Sequence, residues 1–251
     1  MLVLLPPSEG KTPGGDGPRL RLSALSWPST LGSTRSRIVK RLVELCRGDP
    51  TNAREVLGLS ERLDADRVAG SRIRSSPTLP AGLRYSGVLY DALGYASLAA
   101  PARERADATL VTFSGLWGAV RPADPIPAYR LGITTRLPGE PAIPAIWRDP
   151  VGRALSRQIA AEGAIDLRST GYAEMARLTP RARANLTVIK VVAPSFASKQ
   201  IKGILARRVL AEGAVTVDGF LAAAKEVGLR CDPSSGREHT VSMPTGWLPP
   251  G

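Results

Sequence analysis

The 251-residue chain holds one histidine, His239, and two cysteines, Cys46 and Cys231, at no motif spacing. Three such side chains cannot build a zinc set, and two unframed thiols read as reduced cysteines of the cytosol. No metal or other cofactor is expected. Long apolar runs are absent as well. Met1 to Leu5 is stopped by Pro6-Pro7, is too short for a secretory core and lacks a basic leader. No other run approaches membrane-spanning length. The sequence therefore predicts a cytoplasmic protein with no membrane partner and no obligate protein partner. Acidic side chains are in deficit: 22 Asp and Glu face 34 Lys and Arg, a formal net charge of +12. A surplus of that size favours polyanions, whether nucleic acid, anionic membrane or phosphorylated small molecules. What is present in ordinary amount is apolar material, 43% of residues, enough for a sizeable core.

Along the chain, Val3–Leu5 reads as a short buried strand, and residues 6–18 as a Gly/Pro-rich loop. A helix is expected from a Ser33 cap to Cys46, with Gly48 as its stop. Thr51 and Ser60 are candidate caps of two short helices ending near Gly70. Residues 80–100 carry a helical pattern around Tyr85, Leu89 and Leu93. Strands are expected at 109–113, 129–137, 165–167 and 187–192. Asp149-Pro150 reads as the start of a helix reaching Glu162. Ser198 to Glu212 reads as a helix stopped by Gly213, and residues 233–251 as a loop-rich tail. No repeat or linker interrupts the chain. The alternation of strands and helices predicts a mixed α+β fold as a single domain over residues 1–251.

Three places could carry chemistry. The first is Pro6-Pro7-Ser8-Glu9-Gly10-Lys11-Thr12. It ends like a phosphate-binding P-loop, but the glycine that motif needs is Leu5, and Pro13-Gly14-Gly15 follows where a helix should start. Ser8-x-x-Lys11 also matches a Ser-Lys acylation motif, without its Ser-Asp-Asn and Lys-Thr-Gly companions. A lysine on a Gly-rich loop after a strand is nevertheless well placed to meet an anion. The second is the turn Ser114-Gly115-Leu116-Trp117-Gly118, followed by Arg121, Asp124, Tyr129 and Arg130. Two glycines three apart allow a tight hairpin whose backbone N–H groups could take a phosphate; Trp117 could stack on a base or, more in keeping with a single tryptophan, fill the core. The third is the helix from Ser198, where Lys199, Lys202, Gly203 and Arg207 share one face opposite Ile201, Ile204, Leu205 and Val209. Arg208 falls within that apolar face, to be met by a carboxylate or to reach into a cleft. From Arg177 to Ala211 there are eight basic residues and no acidic one, a one-sidedness that solvated surfaces usually avoid.

At these residues the sequence resembles the YaaA family of peroxide stress proteins. LLPPSEGKT is similar to its opening strand and loop, and Phe113-Ser114-Gly115-Leu116-Trp117-Gly118 with Val120-Arg121-Pro122 and Asp124 to its central signature. Tyr129-Arg130-Leu131, Trp147-Arg148-Asp149 and Lys199-x-x-Lys202-Gly203-x-x-x-Arg207 follow in the family's order. The tail from about 232 to 251 diverges: Gly219-Phe220 is kept, the next aromatics are absent, and Pro233-Ser234-Ser235-Gly236 only loosely resembles the family's turn. The resemblance implies a compact α+β fold with a helix-hairpin-helix element, a positively charged cleft, DNA binding, and a role in limiting iron-mediated peroxide damage; phosphate contacts from basic side chains and hairpin amides would make that binding weakly sequence-specific.

These readings converge on one expectation and one rival. The expectation is a cleft for nucleic acid lined by Lys11, Ser114, Gly115, Gly118, Arg121, Arg130, Lys199, Lys202 and Arg207, with Lys11, Arg121, Arg130 and Lys199 on one concave surface. The rival is an enzyme acting on a nucleotide or base through Ser8, Lys11, Asp124 and Tyr129, with Asp124, Glu9 or Lys11 as acid or base. An enclosed pocket joining Lys11 to residues 114–130 would favour the enzyme, and an open groove the nucleic acid.

Overall fold

The computed structural model describes residues 1–232 and 236–250. Its strands are β1 (Leu2–Leu5), β2 (Gly17–Arg19), β3 (Pro77–Pro80), β4 (Leu110–Ser114), β5 (Gly118–Val120), β6 (Pro125–Ile126), β7 (Ala164–Asp166), β8 (Leu186–Val192), β9 (Arg230–Asp232) and β10 (Glu238–Ser242). Its α-helices are α1 (Pro28–Arg47), α2 (Pro50–Leu57), α3 (Asp64–Ser71), α4 (Ala81–Arg84), α5 (Val88–Leu93), α6 (Ala100–Thr109), α7 (Ile143–Glu162), α8 (Thr170–Ala173), α9 (Pro180–Ala184), α10 (Ser195–Glu212) and α11 (Val217–Glu226). This is the expected mixture of α and β.

The main sheet runs β5-β4-β1-β7-β8-β10-β9. The five inner strands are parallel, and β5 and β9 close the two edges antiparallel. All four residues of β1 and all five of β4 are buried. A parallel strand covered on both faces has no polar alternation, which is why Leu2-Val3-Leu4-Leu5 is an unbroken apolar run. The helices pack as two groups, one of α1, α3, α7 and α9, the other of α5, α6, α10 and α11. A smaller antiparallel sheet, β2-β3-β6, stands apart.

Several boundaries move for identifiable reasons. Helix α1 begins at Pro28 rather than Ser33, after Trp27 in a left-handed conformation (φ 55°); a proline in the first turn starts it without a side-chain cap. Asp49, not Thr51, caps α2 by accepting from the Asn52 amide. Helix α7 starts at Ile143, so Asp149-Pro150 lies inside it. The Asp-Pro pair imitates a start, but Ile143, Ile146 and Trp147 already bury a turn before it. Residues 129–137 form no strand: Gly132 and Pro138 break them, and the Thr135 and Glu140 amides close turns instead. The tail does add strand β10, parallel to β8; residues 233–235, which carry the loosely similar turn, lie outside the described residues.

Candidate functional site

Strand β1 delivers the chain into the loop that carries Lys11. That loop is pinned at several points to the segment after β3. Lys11 forms an isolated bridge with Tyr85, the Thr12 amide donates to Arg84 O (2.8 Å), and the Ser86 amide donates to Gly10 O (3.3 Å). The fully buried Arg84 guanidinium donates to the carbonyls of Thr12, Gly14 and Ile126. Buried carbonyls need donors, and one arginine supplies them to three carbonyls on two separate pieces of chain.

Held this way, the Lys11 ammonium group lies against aromatic faces, 4.4 Å from the Tyr129 ring centroid and 5.6 Å from that of Tyr85. Its Nζ donates to Ser8 O (2.8 Å) and Glu9 O (3.1 Å). Burial, with the Arg130 charge beside it, lowers the amine to about 7, while Asp66 and Glu9 pull the other way. Behind it runs a chain of hydroxyls. Tyr85 and Tyr129 are 2.8 Å apart, and Tyr129 and Ser114 Oγ 2.6 Å. Ser114 Oγ also accepts from the amides of Leu116 and Trp117. With both its lone pairs taken, Ser114 must donate to Tyr129, Tyr129 to Tyr85, and the Tyr85 hydrogen is left at the end of the chain. Arg130 pairs with Glu9 (2.8 Å) and Asp66 (3.5 Å). Lys11, Ser114, Tyr129 and Arg130 are thus brought together past the carboxyl ends of β1 and β4, where open parallel sheets place their ligands.

Other expected residues go elsewhere. The hairpin amides are not free, since Ser114 already holds two of them. Gly118 has φ +74°, and a side chain on it would meet the Trp147 ring at 2.6 Å; one on Gly115 would meet Leu131 O at the same distance. Both glycines fit the turn beneath Trp117, which is fully buried. Arg121 donates to the carbonyls of Asp107 and Ala108, just before β4, and to Gln158. That is the opposite end of the sheet from Lys11, so the single concave surface through Lys11, Arg121, Arg130 and Lys199 does not form. Asp124 sits with Arg121 rather than Lys11. It accepts from the Ser26 amide and hydroxyl and from the Arg121 amide, and burial raises its carboxyl. Ser8 hydrogen-bonds within its own loop, to Gly10 O.

On α10 the shared face is partly a packing face. A side chain on Gly203 would meet Leu89 O at 2.1 Å, so α5 crosses there in place of a phosphate. Arg207 caps the end of α5 through the carbonyls of Leu93 and Gly94. Lys202 donates to Leu167 O (2.8 Å), and burial lowers it. Lys199 is exposed. Arg208 meets carboxylates, Glu226 at 3.3 Å and Glu212 at 3.9 Å.

A second basic place was legible only in part: Arg177 and Arg181 open the acid-free stretch noted in the sequence, whereas Arg153 and Arg157 were not singled out. Arg153 and Arg157 on α7, Arg177 before α9 and Arg181 on α9 line an open groove of about 530 Å³. All four are exposed. Among the described residues, Asp149 alone pairs with any of them, reaching Arg177 at 3.3 Å. The missed signal was Arg153-x-x-x-Arg157, two cations four apart on one helix with no acid between them in space. Also unforeseen were buried Arg35, which donates to the carbonyls of Ser26, Trp117 and Ala119, and the ion pair of Arg168 with Asp166 at 2.6 Å. Among the described residues no three His, Cys, Asp or Glu gather as metal ligands, and no helix is long and apolar enough to cross a membrane.

Comparison with known proteins places this architecture. A family model described as peroxide stress protein YaaA matches residues 1–235. A UPF0246 protein of Streptomyces coelicolor is 44% identical over 219 residues, covering 85% of this chain and 84% of that protein. One from Corynebacterium efficiens is 40% identical over 256 residues, covering 97% and 99%. The chain belongs to the YaaA family of peroxide stress proteins.

Proposed function

We propose that the protein serves the response to peroxide stress by binding DNA through its phosphates, with weak sequence preference, and so helps limit iron-mediated damage. The observation that carries the binding is the open arginine groove between α7 and α9, where four guanidiniums meet one carboxylate. Uncompensated cations on an open surface are what a phosphate backbone neutralises, and they carry no sequence information. The positively charged cleft is therefore assigned to this groove rather than to all nine residues expected from the sequence. Lys199 remains an exposed candidate contact, and α10 and α11, joined by a turn at Gly213, are the candidate helix-hairpin-helix element. Reversing charge at Arg153→Glu with Arg157→Glu should abolish duplex binding at low salt and lower survival under peroxide. Unchanged binding would refute the reading.

The Lys11 enclosure favours a second reading, an activity on a nucleotide or base. A half-buried amine against two tyrosines is poorly suited to gripping a polyanion but well suited to chemistry.

A further inference from the structure

We propose that Lys11 is a reactive amine that condenses with an aldehyde or ketone carried next to an anionic group, forming an imine at the carboxyl ends of β1 and β4. This deepens the second reading above by naming the reacting atom and its substrate class, and it does not depend on the arginine groove.

The contacts suit a neutral amine as well as an ammonium. A neutral Nζ has two hydrogens, and two backbone carbonyls, Ser8 O and Glu9 O, accept them. Among the described residues the lone pair is then left without a hydrogen-bond donor, and no carboxylate pairs with Nζ to hold a third proton. The groups that face it act in both directions. The Arg130 guanidinium and the loss of water disfavour the ammonium, whereas Glu9, Asp66 and the Tyr129 face favour it. The balance falls near neutrality, so a large share of the amine is nucleophilic at physiological pH.

The surroundings supply the rest. The hydroxyl cluster of Ser114, Tyr129 and Tyr85 leaves the Tyr85 hydrogen without a further acceptor outside that cluster among the described residues. Burial pushes the Tyr85 phenol far up, so it stays protonated and can donate to a carbonyl oxygen, polarising it towards attack. Arg130 lies beside the amine, and its partner Glu9 is among the most exposed carboxylates, with 84% of its side chain open to solvent. A bound anion can displace so loosely held a carboxylate from Arg130. An oxo group for Lys11 and a negative charge for Arg130 together define the ligand.

The step balances without an oxidant or reductant. The nitrogen lone pair attacks the carbonyl carbon and a C–N bond forms; the carbonyl oxygen departs as water, carrying one of the two amine protons and one proton taken up from solvent. The second amine proton stays on the protonated imine as an N–H for the carbonyl of Ser8. This chemistry could come from a free oxo acid or from the ring-opened sugar aldehyde of an abasic nucleotide, flanked by phosphates.

The test uses the full chain and two probes, glyoxylate and an oligonucleotide with one abasic site, each with cyanoborohydride to fix the imine as a secondary amine. Mass spectrometry maps the modified lysines. Lys11 should be labelled at pH 7.4 at least tenfold faster than the exposed Lys40, Lys190, Lys199 and Lys225, with a rate that rises to a plateau through about pH 7. Labelling by glyoxylate alone assigns the small oxo acid, and labelling by the oligonucleotide assigns the abasic sugar. Tyr85→Phe should slow labelling several-fold with its pH inflection kept, a split that simple loss of structure would not give. Labelling of Lys11 no faster than the exposed lysines in both arms would overturn the proposal, and because the mapping is done on unaltered protein this holds even if Tyr85→Phe fails to fold. Intact-duplex binding is measured separately, so failure of one reading is not failure of the other.

Discussion

The Lys11 enclosure and the arginine groove both present cations, and the protein treats them in opposite ways. Lys11 is clasped by carbonyls and ring faces on a pinned loop and pushed towards losing its proton. The groove arginines are left in water with their charge in excess. A cation meant for a polyanion gains from staying hydrated until the partner's counterions are released. An amine meant to react gains from losing its water beforehand. The comparison teaches that net charge alone says little about where a basic protein binds. The same +12 includes Arg35 and Arg84, which are fully buried and serve only the backbone.

The largest effect is expected where a cation is buried. Arg84→Ala leaves the carbonyls of Thr12, Gly14 and Ile126 without their donor and frees the loop that carries Lys11. It should cost about 3–5 kcal/mol in denaturant unfolding, from several unmet carbonyls at roughly 1–3 kcal/mol each with partial relaxation. Arg157→Ala, in the groove, should change stability by less than about 0.5 kcal/mol. Equal losses would erase the distinction between the two regions.

The second effect is on pH. Lys11 titrates near 7 when folded and at its ordinary 10.5 when unfolded, so between these values the unfolded chain binds more protons. The unfolding free energy should therefore carry a contribution that rises as pH climbs from about 7 to 10 and is flat below. Lys11→Met should remove that rise, and Lys199→Met should leave it in place. A rise of the same size in both variants would place the titration elsewhere.

The smallest effect sharpens the groove itself. Asp149→Asn removes the carboxylate that answers Arg177 at 3.3 Å, an exposed pair with side chains 63% and 54% open. Losing it should barely alter stability and should tighten duplex binding a few-fold, within the roughly 0–1 kcal/mol that such pairs contribute. Weaker binding would mean that Asp149 orients Arg177 rather than competing with the phosphate.

What the sequence could disclose follows from range. Strands β1 and β4, the end of α1 at Gly48 and the end of α10 at Gly213 were legible because apolar runs and stop signals are local. Lys11, Ser114 and Arg130 were expected in one cleft with Arg121 and Lys199, and Tyr129 only in the enzyme reading; the parallel sheet gathers Lys11, Ser114, Tyr129 and Arg130 at one end. The departure of Arg121 and Asp124 to the other end was not anticipated, because β5 turns back antiparallel to β4 and carries Arg121 away. Gly203 illustrates a different limit. Bare backbone on a helix suits a phosphate or another helix equally, and only the position of α5 decides between them. Arg35 and Arg84 were invisible because an arginine in sequence looks like surface charge until three carbonyls surround it.

The most direct test of the separation is the salt dependence of duplex binding. If the groove neutralises four phosphates, the logarithm of the association constant should fall against the logarithm of salt with a slope of about −3.6, or about two orders of magnitude between 50 and 200 mM. Arg153→Gln with Arg157→Gln should make that slope shallower by about 1.8, whereas Lys11→Met should leave it unchanged. A slope unaltered by the arginine changes but reduced by Lys11→Met would contradict the account and return the nucleic acid to the carboxyl ends of the strands.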